Sequence, residues 1–242
     1  MRKLDYGTST ILYTIRRQLG KKDVSISVEW EKGVQVTIPE SLDLKRMEEI
    51  LHKKAPWILM KQAELKEIHR PARPKEFVSG EKLPYLGRNY RLKVHRNTRL
   101  KTPHFIFKQG RFIAEIPDSY TIDQQREELR KSFMTWAKDH ARPKIEQRIQ
   151  QFAPLLDVQP VGLTLKDQEA RWGSCTKSGR ILINWKIILS PLPIVDYIVV
   201  HELAHLRVPD HSREFWETVR SVLPDFEKRK EWLRVNGPTI TI

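Results

Sequence analysis

Cysteine is almost absent from this chain: Cys175 is the only one among 242 residues. That excludes an internal disulfide and suits a reducing compartment. It also argues against a closed, cysteine-rich structural metal site. Long apolar runs are missing as well. The most apolar stretch, Ile194 to Leu206, is broken by Asp196, His201, Glu202 and His205, and it is short for a bilayer, so no membrane span is expected. Met1-Arg2-Lys3-Leu4-Asp5 leads into charged and alternating sequence rather than an apolar signal segment, which predicts a cytoplasmic protein with no membrane partner. No internal repeat or low-complexity tract is evident.

Negative charge is in deficit. Lys and Arg number 44 against 30 Asp and Glu, a net charge of +14, enough to attract polyanions. The densest basic group is Arg88, Arg91, Lys93, Arg96, Arg99 and Lys101, with Tyr85 and Tyr90 interleaved, as a nucleic-acid surface would require. Nucleic acid is therefore a candidate partner. Ordinary solvated faces are the plain alternative, because clusters in sequence need not converge in space. No specific nucleic-acid motif is present.

What the chain does have is His201-Glu202-Leu203-Ala204-His205, followed by His211. Residues four apart share a helix face, so His201 and His205 can grip one ion together. Glu202 projects to the side, where it can reach a water without being a ligand. This is the layout of a zinc hydrolase: imidazoles hold Zn2+ and a carboxylate takes a proton from water. An HExxH arises by chance in a chain of this length on the order of once in a hundred, and the surroundings lower that. Ser190-Pro191 is a helix start and Pro209 ends any helix by Val208. Between them Ile194, Val195, Tyr197, Ile198, Val199, Val200, Leu203, Ala204 and Leu206 are apolar on nearly every face, so the helix is buried. Two histidines and a glutamate inside it would be costly without partners, and a metal satisfies all three.

His211 lies six residues beyond His205, the interval of the HExxHxxGxxH pattern, although Val208 stands where that pattern has glycine. Asp210 or Ser212 can cap a new helix carrying Phe215, Trp216, Val219 and Val222, which puts His211 at a helix entrance. Glu214 and Glu217 are the competing third ligands. The fourth coordination position is expected to hold water.

Along the rest of the chain, Val24, Ile26, Val28 and Trp30, then Val34, Val36 and Ile38, alternate around Glu31-Lys32-Gly33 as a β-hairpin. A helical region from about Leu42 to Ile68 should break or restart at Pro56. Tyr90 to Val94 and Phe105 to Ile116, folded at Gln109-Gly110, read as strands. From Pro117-Asp118, with Thr121 or Asp123 as the start, the spacing of Leu129, Phe133, Trp136 and Ala137 turns helical, with Pro143 interrupting before Ile145, Ile149 and Phe152. Val161 to Leu165 and Arg180 to Ile183 read as strands on either side of Arg171-Trp172-Gly173-Ser174-Cys175, and two short helices end the chain.

These residues resemble the YgjP-like metallopeptidase family, relatives of the SprT-like zinc peptidases. The resemblance rests on RWGSC from Arg171, GRILIN from Gly179, DYIVVHELAHL from Asp196, HSREFW from His211 and LPDF from Leu223. It extends to TIRRQ, PWI and YLGRNYRL in the N-terminal half. It implies a zincin peptidase fold, with His201, His205 and His211 as zinc ligands, Glu202 as catalytic base, and a peptide or unfolded protein as substrate. The expected fold class is α+β: a β-rich region with a helical insertion over residues 1–117, then a compact zincin-like metallopeptidase domain with its HExxH helix over 118–242. Gly173 and Ser174 could present backbone to a substrate, while Trp172 fills core and Cys175 acts as a small buried hydrophobe. Tyr197, four residues before His201, packs or supports the site. Two rivals remain beside a plain zinc peptidase. One is a nucleic-acid-binding module with a structural, four-ligand zinc. The other is a peptidase brought to DNA by its basic surface.

Overall fold

The computed structural model describes residues 2–21, 23–29, 33–67, 74–168 and 171–242. Contacts divide the chain into two compact units, Met1–Arg70 and Pro71–Ile242. The first unit opens with β1 (Arg2–Tyr6), β2 (Ser9–Gln18), β3 (Ser25–Glu29) and β4 (Gly33–Pro39). Their order in the sheet is β1-β2-β4-β3, with both outer pairs antiparallel and the central β2–β4 pair parallel. The predicted hairpin is β3–β4. Trp30, Glu31, Lys32 and Ile68 lie outside the described residues. α1 (Leu44–Glu67) covers one face of the sheet. Alternation along β4 buries Val34, Val36 and Ile38 against Met47, Leu51, Ala55 and Ile58, which recur at helical spacing. Pro56 lies inside α1 and does not break it. Proline removes one helical hydrogen bond, but the buried stripe runs through it from Leu51 to Ile58.

The second unit begins on the same plan. β5 (Lys82–Tyr85), β6 (Arg88–Asn97), β7 (His104–Lys108) and β8 (Arg111–Pro117) pair as β5-β6-β8-β7, again with antiparallel outer pairs and a parallel centre. α2 (Ile122–Phe152) follows, as α1 follows β4. The β7–β8 turn is the expected Gln109-Gly110, both residues at positive φ (51° and 70°), the conformation of a type I′ hairpin turn. The chain therefore does contain a repeat, contrary to the sequence reading. Ile38-Pro39-Glu40-Ser41 reappears as Ile116-Pro117-Asp118-Ser119. Arg17 donates to the carbonyls of Glu40 and Leu42, and Arg96 does the same to Asp118 and Tyr120. Little else is shared beyond alternation, so the duplication is visible in topology and faint in sequence.

α2 starts on a capping box at Thr121 and Gln124 and passes through Pro143 without interruption. Its apolar stripe serves two partners, the β5–β8 sheet and the elements that follow it. Those are β9 (Gly162–Lys166), β10 (Gly173–Cys175) and β11 (Arg180–Asn184) in the order β10-β11-β9, then a 3₁₀ turn at Trp185–Leu189, α3 (Leu192–Ala204), α4 (Arg213–Val222) and α5 (Phe226–Asn236). One apolar core runs from Phe77 through Phe112 and Trp136 to Val199 and Leu233. The change of periodicity near residue 118 falls inside this core, because the strands before it and the helix after it bury the same surface. The architecture is mixed α+β with a β-rich N-terminal half. Among the described residues no helix is long and apolar enough to cross a membrane.

Candidate active site

α3 is held from several directions. Every residue from Ile194 to Val200 is buried, as its all-round apolar sequence requires. Its start is clamped by the β5–β6 turn: Leu86 N–H donates to Ile188 O at 2.8 Å, and Gly87 lies so close to Pro191 that a Cβ there would stand 2.7 Å from Pro191 Cα. Asp196, buried on α3, takes two hydrogen bonds from Arg148 of α2, and Arg229 of α5 approaches it to 4.0 Å. A bidentate guanidinium–carboxylate pair fixes orientation as well as charge. The helix ends at Ala204, but His205 keeps helical angles (φ −65°, ψ −16°) as its C-cap. The face shared by His201 and His205 therefore survives the helix end.

His201, His205 and His211 come together, with one nitrogen of each lying within 4.8 Å of the others. His201 Nε2 and His211 Nε2 are 3.1 Å apart. Two nitrogens bound tetrahedrally to zinc at 2.0–2.1 Å would stand about 3.3 Å apart, so the spacing suits a small ion. His205 Nδ1 is 3.2 Å from Val208 O. A carbonyl only accepts, so Nδ1 carries the proton and Nε2 keeps its lone pair for a ligand role. Burial, then the other two histidines, hold His201 down to about pKa 3; burial also lowers His211. His201 is thus neutral at pH 7, as metal binding requires. Phe215 of α4, fully buried, supports all three rings at centroid distances of 4.9, 4.5 and 4.8 Å.

Glu202 is 4% exposed, and its Oε2 has no hydrogen-bond partner among the described residues. Burial alone raises its pKa to about 8. The carboxylate lies over Gly173 on the edge strand β10, where a Cβ would stand 2.5 Å from Oε1. Two cavities meet here. One, of about 970 Å³, is lined by Gly173, Ser174, Cys175 and all three histidines; the other, of about 370 Å³, by Arg171, Trp172, Tyr197 and Lys230. Both include His201 and Glu202.

The sequence model of the YgjP-like, metallopeptidase domain family matches residues 22–236. The chain belongs to the YgjP-like metallopeptidases. It is thus a peptidase acting on peptide or protein, and the family implies a metal, typically zinc. Among solved structures it is similar to the metallopeptidase zymogen abylysin of Pyrococcus abyssi (26% identity, TM-score 0.33, covering 36% of this chain and 86% of that one). It is also similar to the zymogen jannalysin of Methanocaldococcus jannaschii (16% identity, TM-score 0.33, covering 36% and 90%). No curated protein matches it.

Other residues singled out in the sequence of this metallopeptidase stand outside the histidine cluster. Glu214 and Glu217, the rival third ligands, are exposed and do not join it; Glu217 instead pairs with Arg213 at 2.7 Å. Cys175 is half-buried, and burial pushes its thiol pKa up, the opposite of an activated nucleophile. Tyr197 is buried with its hydroxyl pKa raised to about 12, by burial first and Glu202 second. Trp172 packs against the main core. Two features escaped the sequence reading: Phe215 beneath the three rings, and Gly173 as the bed of the Glu202 carboxylate. A phenylalanine four residues after His211 was the visible hint for the first. The second joins residues far apart in sequence and left no spacing signal.

Proposed function

We propose that this metallopeptidase is a zinc-dependent, zincin-type enzyme in which His201, His205 and His211 hold the ion and Glu202 is the general base. The donor set fits the group: three imidazoles converge, and a buried carboxylate with an unpartnered oxygen stands beside them. Zinc bound there would supply Lewis-acid activation of a water and of the substrate carbonyl. The remaining work falls to the chain's own side chains. Phe215 and the Val208 carbonyl hold the imidazoles in orientation. Glu202, poised near neutrality by burial, accepts the proton of the attacking water at its carboxylate and hands it to the departing amine. The free edge of β10, beside Glu202, suits an extended peptide pairing as an added strand, which is why an unfolded protein is the proposed substrate.

The observation that carries this reading is the unpartnered Glu202 Oε2 beside the histidine cluster. An amide at this position keeps the shape and loses the base, so Glu202→Gln should retain zinc and fold while cleavage of a disordered protein drops by about 10²–10⁴-fold. Undiminished cleavage would remove Glu202 as base; loss of zinc would make it a ligand or an essential support. A purely structural zinc calls for a fourth protein ligand. Among the described residues the metal-competent group has three members, which favours an open site.

A further inference from the structure

The β5–β8 sheet buries one face against α2 and leaves the other to solvent. Leu83, Leu92, Phe112 and Ala114 point inward, so their strand neighbours point out. On the outer face one row crosses all four strands. Lys82 pairs with Arg91, Arg91 and Arg111 immediately precede the paired Leu92 and Phe112, and Arg111 pairs with Lys108. All four are exposed, and exposed Lys93 follows on β6. Strands are about 4.8 Å apart, and like charges directly opposite destabilise a sheet. None of these five cations has an ion pair among the described residues. Glu115 is the single acid on the four strands. It lies half-buried, four positions beyond Arg111 on β8. A surface depression of about 810 Å³ includes Arg91, Lys93, Arg111 and Asn89.

The fold does not need this row. The first unit builds the same sheet in the same register, and its corresponding row is Lys3, Leu12, Gly33 and Glu29. Within one chain, then, the architecture is made once without the charge and once with it. A row of unpaired cations kept against their mutual repulsion fits a polyanionic ligand. Aromatic residues on these strands decide which kind. Tyr90, Phe105, Phe107 and Phe112 turn inward, with Phe107 and Phe112 against Trp136 and Phe105 against Phe133. No phenylalanine, tyrosine or tryptophan ring on these strands is exposed to stack an unpaired base, which a single-strand binder uses; the exposed rings of this face are the two small imidazoles His95 and His104. We infer that the outer face of the β5–β8 sheet is a sequence-independent binding surface for the phosphate backbone of double-stranded nucleic acid, through Lys82, Arg91, Lys93, Lys108 and Arg111. It shares no residue with the cavities at Glu202, so binding and peptide cleavage are separable.

The test is binding of the full chain to a labelled random-sequence DNA duplex across 50–200 mM salt, with a single strand of equal length beside it. About four phosphate contacts predict an affinity loss of roughly 10²-fold over that range. Arg91→Leu with Arg111→Gln, the first of which copies the first unit's own residue, should lower the slope of log affinity against log salt by about two. Lys53→Gln with Lys54→Gln removes the same charge from α1 and should leave the slope unchanged. Thermal melts confirm that each variant is folded; if the first pair is not, Lys82→Gln with Lys108→Gln carries the same test. No duplex binding at 50 mM salt, equal losses from the β-sheet and α1 pairs, or preference for the single strand would each overturn the inference.

Discussion

Adding one methyl group at Gly173 should disable the proposed base without touching the histidine cluster. An ideal Cβ at this position stands 2.5 Å from Glu202 Oε1 and 2.8 Å from its Cδ and Cγ, whereas ordinary contact begins near 3.4 Å. Either the carboxylate retreats by close to 1 Å or β10 does. β10 is tied to β11 through the Gly173–Ile183 pair, and Asn184 N–H donates to Trp172 O at 2.8 Å. Glu202, only 4% exposed, has little space to give. Overpacking of this kind costs about 1–3 kcal/mol of stability, and a misplacement of about 1 Å in a reacting group costs about 10²-fold in rate. Gly173→Ala should therefore lower kcat on a disordered substrate by that order, with zinc content unchanged and a modestly reduced Tm. Parent-like kcat/KM would refute the reasoning, since it would mean that the position of Glu202 over Gly173 is immaterial to cleavage.

Metal analysis should find about one zinc per chain; His211→Ala should lose most of it, while Glu214→Gln and Glu217→Gln keep it, and full retention in His211→Ala would reopen the third ligand. In metal-free protein, Glu202's contribution to stability is complete below its ordinary pKa of 4.5 and is lost as pH rises towards about 8, because the unfolded chain ionises first. His201, held near 3 against an ordinary 6.5, acts the other way: its contribution is lost as pH falls from 6.5 towards 3. Between pH 6.5 and 8 the Glu202 change outweighs the tail of the His201 one, so chelated protein should lose about 1–2 kcal/mol there; an equal loss in Glu202→Gln would contradict the assignment. Asp196→Ala strands the Arg148 guanidinium, 15% exposed, and should cost about 3–5 kcal/mol by denaturant unfolding; a cost under about 1 kcal/mol would show that the pair does not anchor α3.

Local chemistry was readable where neighbours in sequence are neighbours in space. The β3–β4 hairpin, the Gln109-Gly110 turn and the burial of α3 all follow from periodicity and turn residues. So does the gathering of His201, His205 and His211, since a helix face and a short turn suffice. Pro56 and Pro143 misled because local propensity was weighed without the tertiary surface beneath each helix. Burial of Leu51, Ala55 and Ile58 in one, and of Ala141 and Ile145 in the other, outweighs a missing hydrogen bond. β1 and β5 were overlooked for a related reason: each buries a single strand residue, Leu4 or Leu83. The division near residue 118 reflected a real change of periodicity, but a change of element type is not a change of core. The contact of Gly173 with Glu202 depends on β10 lying beside α3, which no spacing in the sequence encodes.

The doubled ββββα plan has a kinetic consequence. Tandem units of like topology invite strand exchange between copies while a chain is still collapsing. Here the two interiors are cast in different materials. The first is aliphatic around a single Tyr13, with Val34 and Val36 on β4; the second stacks Phe112, Phe133 and Trp136, with Tyr85, Phe105 and Phe107 packed against them. Were β4 to pair where β8 belongs, Val34 would face a space shaped for Phe112 and leave a void costing several kcal/mol. The converse error would force Phe112 into a space shaped for valine. Divergence of the two cores thus penalises the wrong pairing by volume in either direction.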